Sequence, residues 1–181
     1  MSAAESLPPS LVYRLPASGV LELLGWNVWS AAASSARVDA LRVGDRLEVV
    51  LAEDEPADGP DPSGGASRTR LLLGADGRCA AFHTASPSLL HLRHVGVEMG
   101  AVARDGARSE VLLAHGDVLV VPTSSFLQVA PAALLAQIPM RARRRRSLAG
   151  LADDLVRRVG RGAAGERVGI VVAQRVWPAE A

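Results

Sequence analysis

Three groups of side chains in this sequence could do chemistry: a cluster of acidic residues, four histidines and a dense run of arginines. The acidic cluster lies between Glu53 and Ser67, a segment with five acidic residues, three prolines and three glycines. Carboxylate oxygens could hold a hard cation such as Mg²⁺ or Ca²⁺. The spacing lacks the alternate-position pattern of a calcium loop, and the composition buries little apolar area. The segment is therefore predicted to be a flexible acidic loop, with a cation site as the alternative.

The four histidines invite a comparison with metal sites. His91 and His94 are three residues apart and would share a face if they stood on a helix. No third ligand has a spacing that matches them, and the acidic cluster is remote in sequence. Surface histidines are the favoured interpretation, and a metal site is the alternative. The full set is His83, His91, His94 and His115.

The densest charge feature is a run of five arginines within six residues, between Pro139 and Ser147. Guanidinium groups pair with phosphates and carboxylates through two parallel hydrogen bonds. The run is predicted to be an exposed connector and a candidate site for an anionic or phosphorylated ligand or a protein partner. Aromatic residues make up only 3% of the chain and the net charge is +1, which disfavours nucleic acid as a partner. The candidate anion-binding residues are Arg141, Arg143, Arg144, Arg145 and Arg146.

Composition excludes several kinds of chemistry. All 20 basic residues are arginine, so a lysine nucleophile, a Schiff base and a P-loop lysine are ruled out. Cys79 is the single cysteine and lies in an apolar run, which predicts a buried, inert thiol. Abundant Arg, Ala and Gly together indicate a GC-rich genome. No complete catalytic or metal-binding motif is present.

The length of 181 residues suits one domain of ordinary size. We expect a flexible arm over residues 1–10, a single α+β domain over 11–176 and a tail over 177–181. No apolar run approaches the roughly 20 residues of a membrane span, and no signal-peptide pattern opens the chain. A cytoplasmic protein without membrane association is expected.

Apolar runs separated by turn residues predict most of the strands. Two short strands are expected between Leu11 and Ala33, one over Arg46–Ala52, and two near Ser109–Ala114 and Asp117–Val121. The clearest hairpin joins Arg68–Leu73 to Arg78–Thr84, where glycines 74 and 77 are expected to supply positive φ values.

Three helices and a final strand complete the predicted elements. A short helix is expected at Ser88–Arg93 and another from Pro131 to Gln137, since proline suits a first helical turn. A longer helix runs from the expected N-cap Ser147 to about Val159, with leucines along one face. Val168–Ala173 is almost continuously apolar, which predicts a central strand covered on both faces. The predicted fold is α+β, with antiparallel sheet layers covered by two C-terminal helices.

The C-terminal half, read as a unit, resembles one known family. Residues 116–125, Gly-Asp-Val-Leu-Val-Val-Pro-Thr-Ser-Ser, are followed by two predicted helices and by 166–173, Glu-Arg-Val-Gly-Ile-Val-Val-Ala. Upstream, residues 67–77 resemble the hairpin that follows a Gly-Asp-Ser-Arg motif. This arrangement is similar to the closing part of PPM-type metal-dependent serine/threonine phosphatases, including their bacterial sigma-factor-regulator branch. The resemblance implies a shortened form of their fold.

The resemblance also implies a degenerate metal site. Family members hold two divalent metals with aspartates, and the metals activate water and stabilise charge on the phosphoryl group. Ser124 stands at the aspartate of the Thr-Asp-Gly motif, Glu166 at that of Asp-Asn, and Glu53 and Asp54 near the early Asp-Gly motif. Glu53, Asp54 and Glu166 are thus the candidate metal ligands. No cofactor is expected, unless activity survives with Mg²⁺ or Mn²⁺.

Three functions remain open. A phosphatase-like regulatory or protein-interaction domain without a catalytic metal site is favoured, because aspartates of the family are replaced. The first alternative is an active metal-dependent phosphoprotein phosphatase of reduced size. The second is a cupin-like barrel for a small ligand, suggested by Gly116 and Pro122, which are six residues apart in a β-rich region.

Overall fold

The structure is a computed structural model that describes residues 12–14, 18–32, 36–53, 68–84, 89–104, 106–144, 148–160 and 168–176. Twelve strands and four helices lie within these ranges. The strands are β1 (Val12–Arg14), β2 (Ser18–Leu23), β3 (Trp26–Ala32), β4 (Ala36–Val43), β5 (Arg46–Glu53), β6 (Arg68–Gly74), β7 (Arg78–His83), β8 (Leu89–Val95), β9 (Glu98–Arg104), β10 (Arg108–Leu112), β11 (Val118–Pro122) and β12 (Gly169–Arg175). The helices are α1 (Ser124–Val129), α2 (Ala132–Ala136), α3 (Ile138–Arg144) and α4 (Ala149–Gly160).

The strands form two antiparallel sheets of six strands each. Sheet 1 has the order β1-β4-β5-β6-β7-β10, and sheet 2 has the order β2-β3-β12-β11-β8-β9. Side chains alternate between the two faces of a strand, so Leu47, Val49 and Leu51 of β5 point into the molecule while their neighbours point out. These residues meet Trp26 and Val28 of β3 in one core between the sheets. The result is a sandwich with a shared apolar interior.

The helices lie on sheet 2. α4 packs against β3 and β12, α1 packs against β12 and α4, α3 packs against β9, and α2 packs against α3. A second apolar core fills this layer, with Phe126, Ile138 and Leu155 among its fully buried members. The outer face of sheet 1 instead carries exposed side chains such as Arg70 and Leu112. Among the described helices, none is long and apolar enough to cross a membrane.

The α+β prediction with antiparallel layers is confirmed, and so is the clearest hairpin. β6 and β7 pair from Thr69 opposite His83 to Leu73 opposite Cys79. Gly77 has a φ of +86°, and a Cβ there would lie 2.7 Å from the Leu113 carbonyl oxygen, so the turn requires glycine. Gly74 does not have a positive φ, so that part of the prediction is wrong.

Two predicted helices and the last strand are also present. The helix expected at 131–137 is α2, and the one expected at 147–159 is α4. Ser147 itself lies outside the described residues. β12 sits in the interior of sheet 2 between β3 and β11, with one core on each face, as the apolar run predicts.

The helix predicted at Ser88–Arg93 is wrong. Residues 89–95 form β8, which pairs with β11 on one side and β9 on the other. Leu89 contributes to the core between the sheets and Leu92 to the core under the helices, so alternate faces are both apolar. Short apolar runs of this kind fit a strand covered on both faces as well as a helix. Residues 12–32 contain three strands instead of two, and β4, β9, α1 and α3 were not predicted.

Two loop predictions need correction. Residues 141–144 belong to α3, so the arginine run is not a connector there, and Arg145 and Arg146 lie outside the described residues. Glu53, expected to open the acidic loop, is the last residue of β5 and only 7% exposed. The rest of that predicted loop, 54–67, lies outside the described residues, as do the arm at 1–10 and the tail at 177–181.

Candidate functional site

Thr123 joins the end of β11 to the start of α1. It is an N-cap residue with extended backbone (φ −69°, ψ 162°), and its Oγ1 accepts a hydrogen bond from the Phe126 amide at 3.2 Å. A threonine hydroxyl in this position satisfies one of the amides that a helix start leaves without a partner. The same oxygen accepts from the Gly169 amide at 3.1 Å, while the Thr123 amide donates to the Gly169 carbonyl at 2.9 Å. Thr123 therefore connects strands β11 and β12 to each other and to helix α1.

Glu53 links sheet 1 to this junction. It ends β5, is buried, and its Oε1 accepts a hydrogen bond from the Ser125 amide at 2.9 Å. A carboxylate is well placed beside the first amides of a helix, because it accepts hydrogen bonds and faces the positive end of the peptide dipoles. The contact spans 72 residues of sequence. The Glu53 carboxylate thus connects sheet 1 to helix α1 on sheet 2.

The structure places the Glu53 carboxylate in hydrogen-bond contact with the Ser125 amide, one residue after Ser124. Asp54 and Glu166, the other candidate ligands, lie outside the described residues. Gly169 allows β12 to pack closely against β4 and β5, since a Cβ there would lie 3.1 Å from the Ala36 Cβ and 3.3 Å from Leu51 Cδ1. We call the set Glu53, Thr123, Ser124, Ser125 and Gly169 the strand-end cluster.

The described residues do not fit a two-metal site. Mg²⁺ and Mn²⁺ are hard cations held mainly by carboxylate oxygens. Within the strand-end cluster Glu53 is the single carboxylate, and one of its oxygens is committed to the Ser125 amide. By the sequence resemblance, Ser124 stands where the family has an aspartate, and it offers only a neutral hydroxyl. The described ranges hold no group of three or more His, Cys, Asp or Glu side chains arranged to bind a metal.

A buried histidine–aspartate pair lies elsewhere in sheet 2. Asp117, just before β11, is 2% exposed and accepts from His91 Nε2 at 3.0 Å. It also accepts from the amides of His94 and Ala114, at 2.9 and 3.1 Å. His91 Nδ1 is buried with no hydrogen-bond partner among the described residues. Since three donors hold the carboxylate, the pair orders the turn before β11.

The surface-histidine prediction is wrong for two of the four residues. His91 and His83 are 3% and 8% exposed, whereas His94 and His115 are exposed. His91 and His94 stand on a strand, where an odd spacing places them on opposite faces. His83 Nδ1 lies 3.1 Å from the Thr69 hydroxyl oxygen. Burial lowers the pKa of His83 below its ordinary value of 6.5, because the charged imidazolium is poorly solvated there.

The arginine run meets a buried acid between α3 and α4. Asp154 is 6% exposed, and its Oδ2 lies 3.1 Å from Arg141 Nη1 and 3.1 Å from Arg158 Nε. Arg157 Nη2 lies 3.6 Å from Oδ1. Arg141 also donates to Gln137 Oε1 at 3.0 Å. One carboxylate thus meets three guanidinium groups, and the region keeps an excess of positive charge.

Two further features, Cys79 and a surface depression, offer little reactivity. Cys79 is buried, as predicted, and burial raises the pKa of its thiol to about 12, so the reactive thiolate is suppressed. An open depression of about 440 Å³ lies at one end of sheet 1, lined in part by Asp45, Arg46, Asp76 and Arg78. It is remote from the strand-end cluster, and no barrel encloses it. The cupin alternative finds no support in this architecture.

The predictions from the sequence assigned no structural role to Thr123, Asp117 or Asp154, which each form several hydrogen bonds or ion pairs. The sequence nevertheless carries a signal for two of them. Thr123 precedes a short amphipathic segment, as N-caps do. Asp154 stands three and four residues before Arg157 and Arg158, the spacing of ion pairs on a helix. The burial of Asp117 depends on β8, which lies 23 and 26 residues away in sequence, so no local pattern shows it.

Comparison with solved structures identifies the fold. The RsbU and RsbW domains of a Mycobacterium tuberculosis protein superpose with a TM-score of 0.66 and 16% identity, over 86% of this chain and 61% of that one. RsbX in complex with magnesium gives a TM-score of 0.57 and 6% identity, over 87% of this chain and 98% of its own. The catalytic domain of the serine/threonine phosphatase PstP with two manganese ions gives 0.58 and 14%, over 83% and 98%.

No family model matches the sequence, and neither does any curated protein. The structural similarity nevertheless covers more than four fifths of the chain in each of the three comparisons. The two antiparallel sheets with helices on sheet 2 are a PPM phosphatase-like fold.

Proposed function

We propose that this chain, with its PPM phosphatase-like fold, is a regulatory or protein-interaction domain without a catalytic metal site. The supporting observation is the strand-end cluster. Glu53 Oε1 accepts a hydrogen bond from the Ser125 amide at 2.9 Å, and by the sequence resemblance Ser124 stands at the family's aspartate position. The described side chains near the expected metal site therefore connect the two sheets, and the one carboxylate among them, that of Glu53, accepts a hydrogen bond from an amide.

Charge supports the same conclusion. A divalent cation leaves its hydration shell only for ligands that compensate its charge, and carboxylates do this in hydrolytic two-metal sites. A serine supplies a neutral oxygen. Glu166, by the resemblance, keeps a charge but carries it one methylene further from the backbone, and a displacement of about 1 Å in a positioned site can cost on the order of a hundredfold in rate.

The proposed partner is a protein with an acidic or phosphorylated surface, and the proposed contact is the arginine cluster on α3 and α4. Arg143 and Arg144 are exposed, and the side chains of Arg157 and Arg158 are 60% and 50% exposed. Asp154 compensates one of these charges. Arg145 and Arg146 follow directly in sequence, outside the described residues, and the proposal includes them for their charge. The proposed location is the cytoplasm, where a lone thiol such as Cys79 stays reduced.

The alternative is an active phosphoprotein phosphatase of reduced size, with Glu53, Asp54 and Glu166 as ligands of Mg²⁺ or Mn²⁺. It is favoured by the fold itself, since RsbX and PstP were solved with magnesium and manganese. This alternative requires Glu53 to exchange its bond with the Ser125 amide for a metal.

Hydrolysis assays decide between the two. The unmodified chain is assayed with p-nitrophenyl phosphate and a phosphoserine peptide in excess Mn²⁺, beside Glu53→Gln, Asp54→Ala and Glu166→Ala. We expect no Mn²⁺-dependent turnover. A Ser124→Asp variant is included because it restores the family's charge. Turnover by the unmodified chain that these single changes abolish establishes the phosphatase alternative.

The arginine contact has its own test. Arg143→Gln with Arg144→Gln should weaken binding of an acidic phosphopeptide and reduce its salt dependence, because two exposed charges are lost. The matched control is Arg78→Gln, since the Arg78 side chain is 82% exposed and lies on β7, away from the helices. Equal binding by both variants removes this surface from the proposal.

A further inference from the structure

β9 is an exposed strand at the outer edge of sheet 2. Among the described strands it pairs only with β8, and six of its seven residues are exposed. Its middle consists of Gly100, Ala101, Val102 and Ala103, with no proline or charge. An edge strand presents a row of backbone donors and acceptors, and proteins usually protect such an edge with charged side chains, proline or a bulge. The middle of β9 has small, uncharged side chains, so no charge protects this part of the edge.

The charges of β9 stand at its two ends. Glu98 opens the strand and Arg104 closes it, and both are exposed. In the register with β8, Glu98 lies opposite Val95 and Arg104 opposite Leu89. Neither forms an ion pair with any residue that the structure describes. Each strand end therefore carries a charge with an apolar residue across from it.

We propose that two copies of this chain associate by antiparallel pairing of β9 with β9. The sequence Glu98-Met-Gly-Ala-Val-Ala-Arg104 is self-complementary in charge about Ala101. A two-fold axis at Ala101 places Glu98 of one copy directly opposite Arg104 of the other, and the reverse pair forms at the opposite end. Directly opposed residues of an antiparallel pair share a face, so these opposite charges meet. Sheet 2 then continues across both copies, and the contact is the same patch on each copy.

Apolar exposure is concentrated around the same strand. Six large hydrophobic side chains are exposed in the described part of the chain, and three of them lie in the β8–β9 hairpin: Val95, Val97 and Val102. A fourth, Met140, is 52% exposed on α3, the helix that packs against β9. Exposed apolar groups gathered at one edge are typical of an interaction surface.

β10, one of the two outer strands of sheet 1, does not have this property. In β10, Arg108 forms an ion pair with Glu110 of the same strand. Antiparallel pairing of β10 about its centre would set Glu110 against Glu110, and like charges directly opposite are destabilising. Charge complementarity therefore selects β9 over β10 for association with a second copy.

The test is the mass of the full chain in solution, measured by sedimentation equilibrium over a range of concentrations. We expect a dimer. Glu98→Arg or Arg104→Glu alone should weaken it about tenfold or more in Kd, because each change places like charges opposite each other at both ends. The double variant E98R/R104E should recover the dimer. An equimolar mixture of the two single variants should form a heterodimer, since both of its pairs are again opposite in charge.

Glu110→Arg on β10 is the matched control and should leave the dimer unchanged. Circular dichroism of each single variant checks that it folds, and recovery in the mixture shows that the charges act across the contact. A monomer at all concentrations for the unmodified chain, or dimers that persist in both single variants, would overturn the proposal. Failure of this test leaves the proposed function unaffected, because no residue of the strand-end cluster or of the arginine cluster takes part.

Discussion

The two ends of the β-sandwich are closed by different chemistry. At one end, the Arg175 end, Arg175 Nη1 donates to the carbonyl oxygens of Leu24 and Gly25, both at 3.0 Å, and Nη2 donates to that of Ala75. Its guanidinium lies 5.4 Å from the centre of the Trp26 ring. The Trp26 Nε1 donates to the Gly74 carbonyl at 2.9 Å, which ties sheet 2 to sheet 1.

The other end, the Glu53 end, contains the strand-end cluster. There Glu53 of sheet 1 accepts from the Ser125 amide, and Thr123 holds Phe126 and Gly169. A cation satisfies backbone carbonyls at one end, and a carboxylate and a hydroxyl satisfy backbone amides at the other. Arg175 and Trp26 join the sheets at the first end, and Glu53 joins them at the second. Under the proposed function, the end where the sequence resemblance puts the family's metals is instead a structural connection between the sheets.

The largest expected effect comes from Arg175→Ala. The change leaves the carbonyls of Leu24, Gly25 and Ala75 without their charged donor and removes the stacking on Trp26. We expect the free energy of unfolding to fall by about 2–3 kcal/mol, measured by urea denaturation. Arg46→Ala is the control: this side chain is 64% exposed and 3.9 Å from Asp45, and such pairs contribute little. Equal losses in the two variants would show that the Arg175 end is not a joint.

At the Glu53 end, Thr123→Val tests the same idea with a smaller effect. Valine has nearly the same shape but leaves the Phe126 and Gly169 amides without the hydroxyl oxygen. The expected loss is about 1–2 kcal/mol, again from urea denaturation. Thr123→Ser keeps the oxygen and should recover most of it. A Thr123→Val protein as stable as the unmodified one would argue against a structural role for this end.

The sequence predicted those parts of both ends that depend on local patterns. The β6–β7 hairpin has its required glycine at Gly77, and β12 and α4 have continuous or periodic apolar residues. β8 was mistaken for a helix because its identity depends on pairing with β11 and β9. Glu53 looked like part of an acidic loop, since its neighbours Asp54 and Glu55 have the same charge. The hydrogen-bond partner of its carboxylate is the Ser125 amide, 72 residues away.

A pH effect is the smallest expected difference between the ends. His83 stands at the Glu53 end of β7, opposite Thr69, and burial lowers its pKa below 6.5. Below pH 6.5 the unfolded chain therefore binds more protons at this site than the folded chain. The contribution of His83 to stability is complete above pH 6.5 and declines as the pH falls toward its lowered pKa.

We expect His83→Gln to lose less stability between pH 7 and pH 5 than the unmodified chain, in an amount below the effect of Thr123→Val. The values are obtained from urea denaturation at each pH. A stability profile that His83→Gln leaves unchanged would show that His83 is as free to protonate in the folded chain as in the unfolded one.

Binding of Mn²⁺ to the purified chain, followed by the electron paramagnetic resonance signal of the free aquo ion, tests the central claim most directly. If Glu53 is committed to the Ser125 amide and Ser124 replaces an aspartate, the chain should leave the free Mn²⁺ signal undiminished at micromolar metal. Glu53→Gln, whose amide oxygen can still accept that hydrogen bond, should give the same result. Stoichiometric binding of two Mn²⁺ ions by the unmodified chain, lost in Glu53→Gln, would contradict the account and show that the Glu53 end is a metal site.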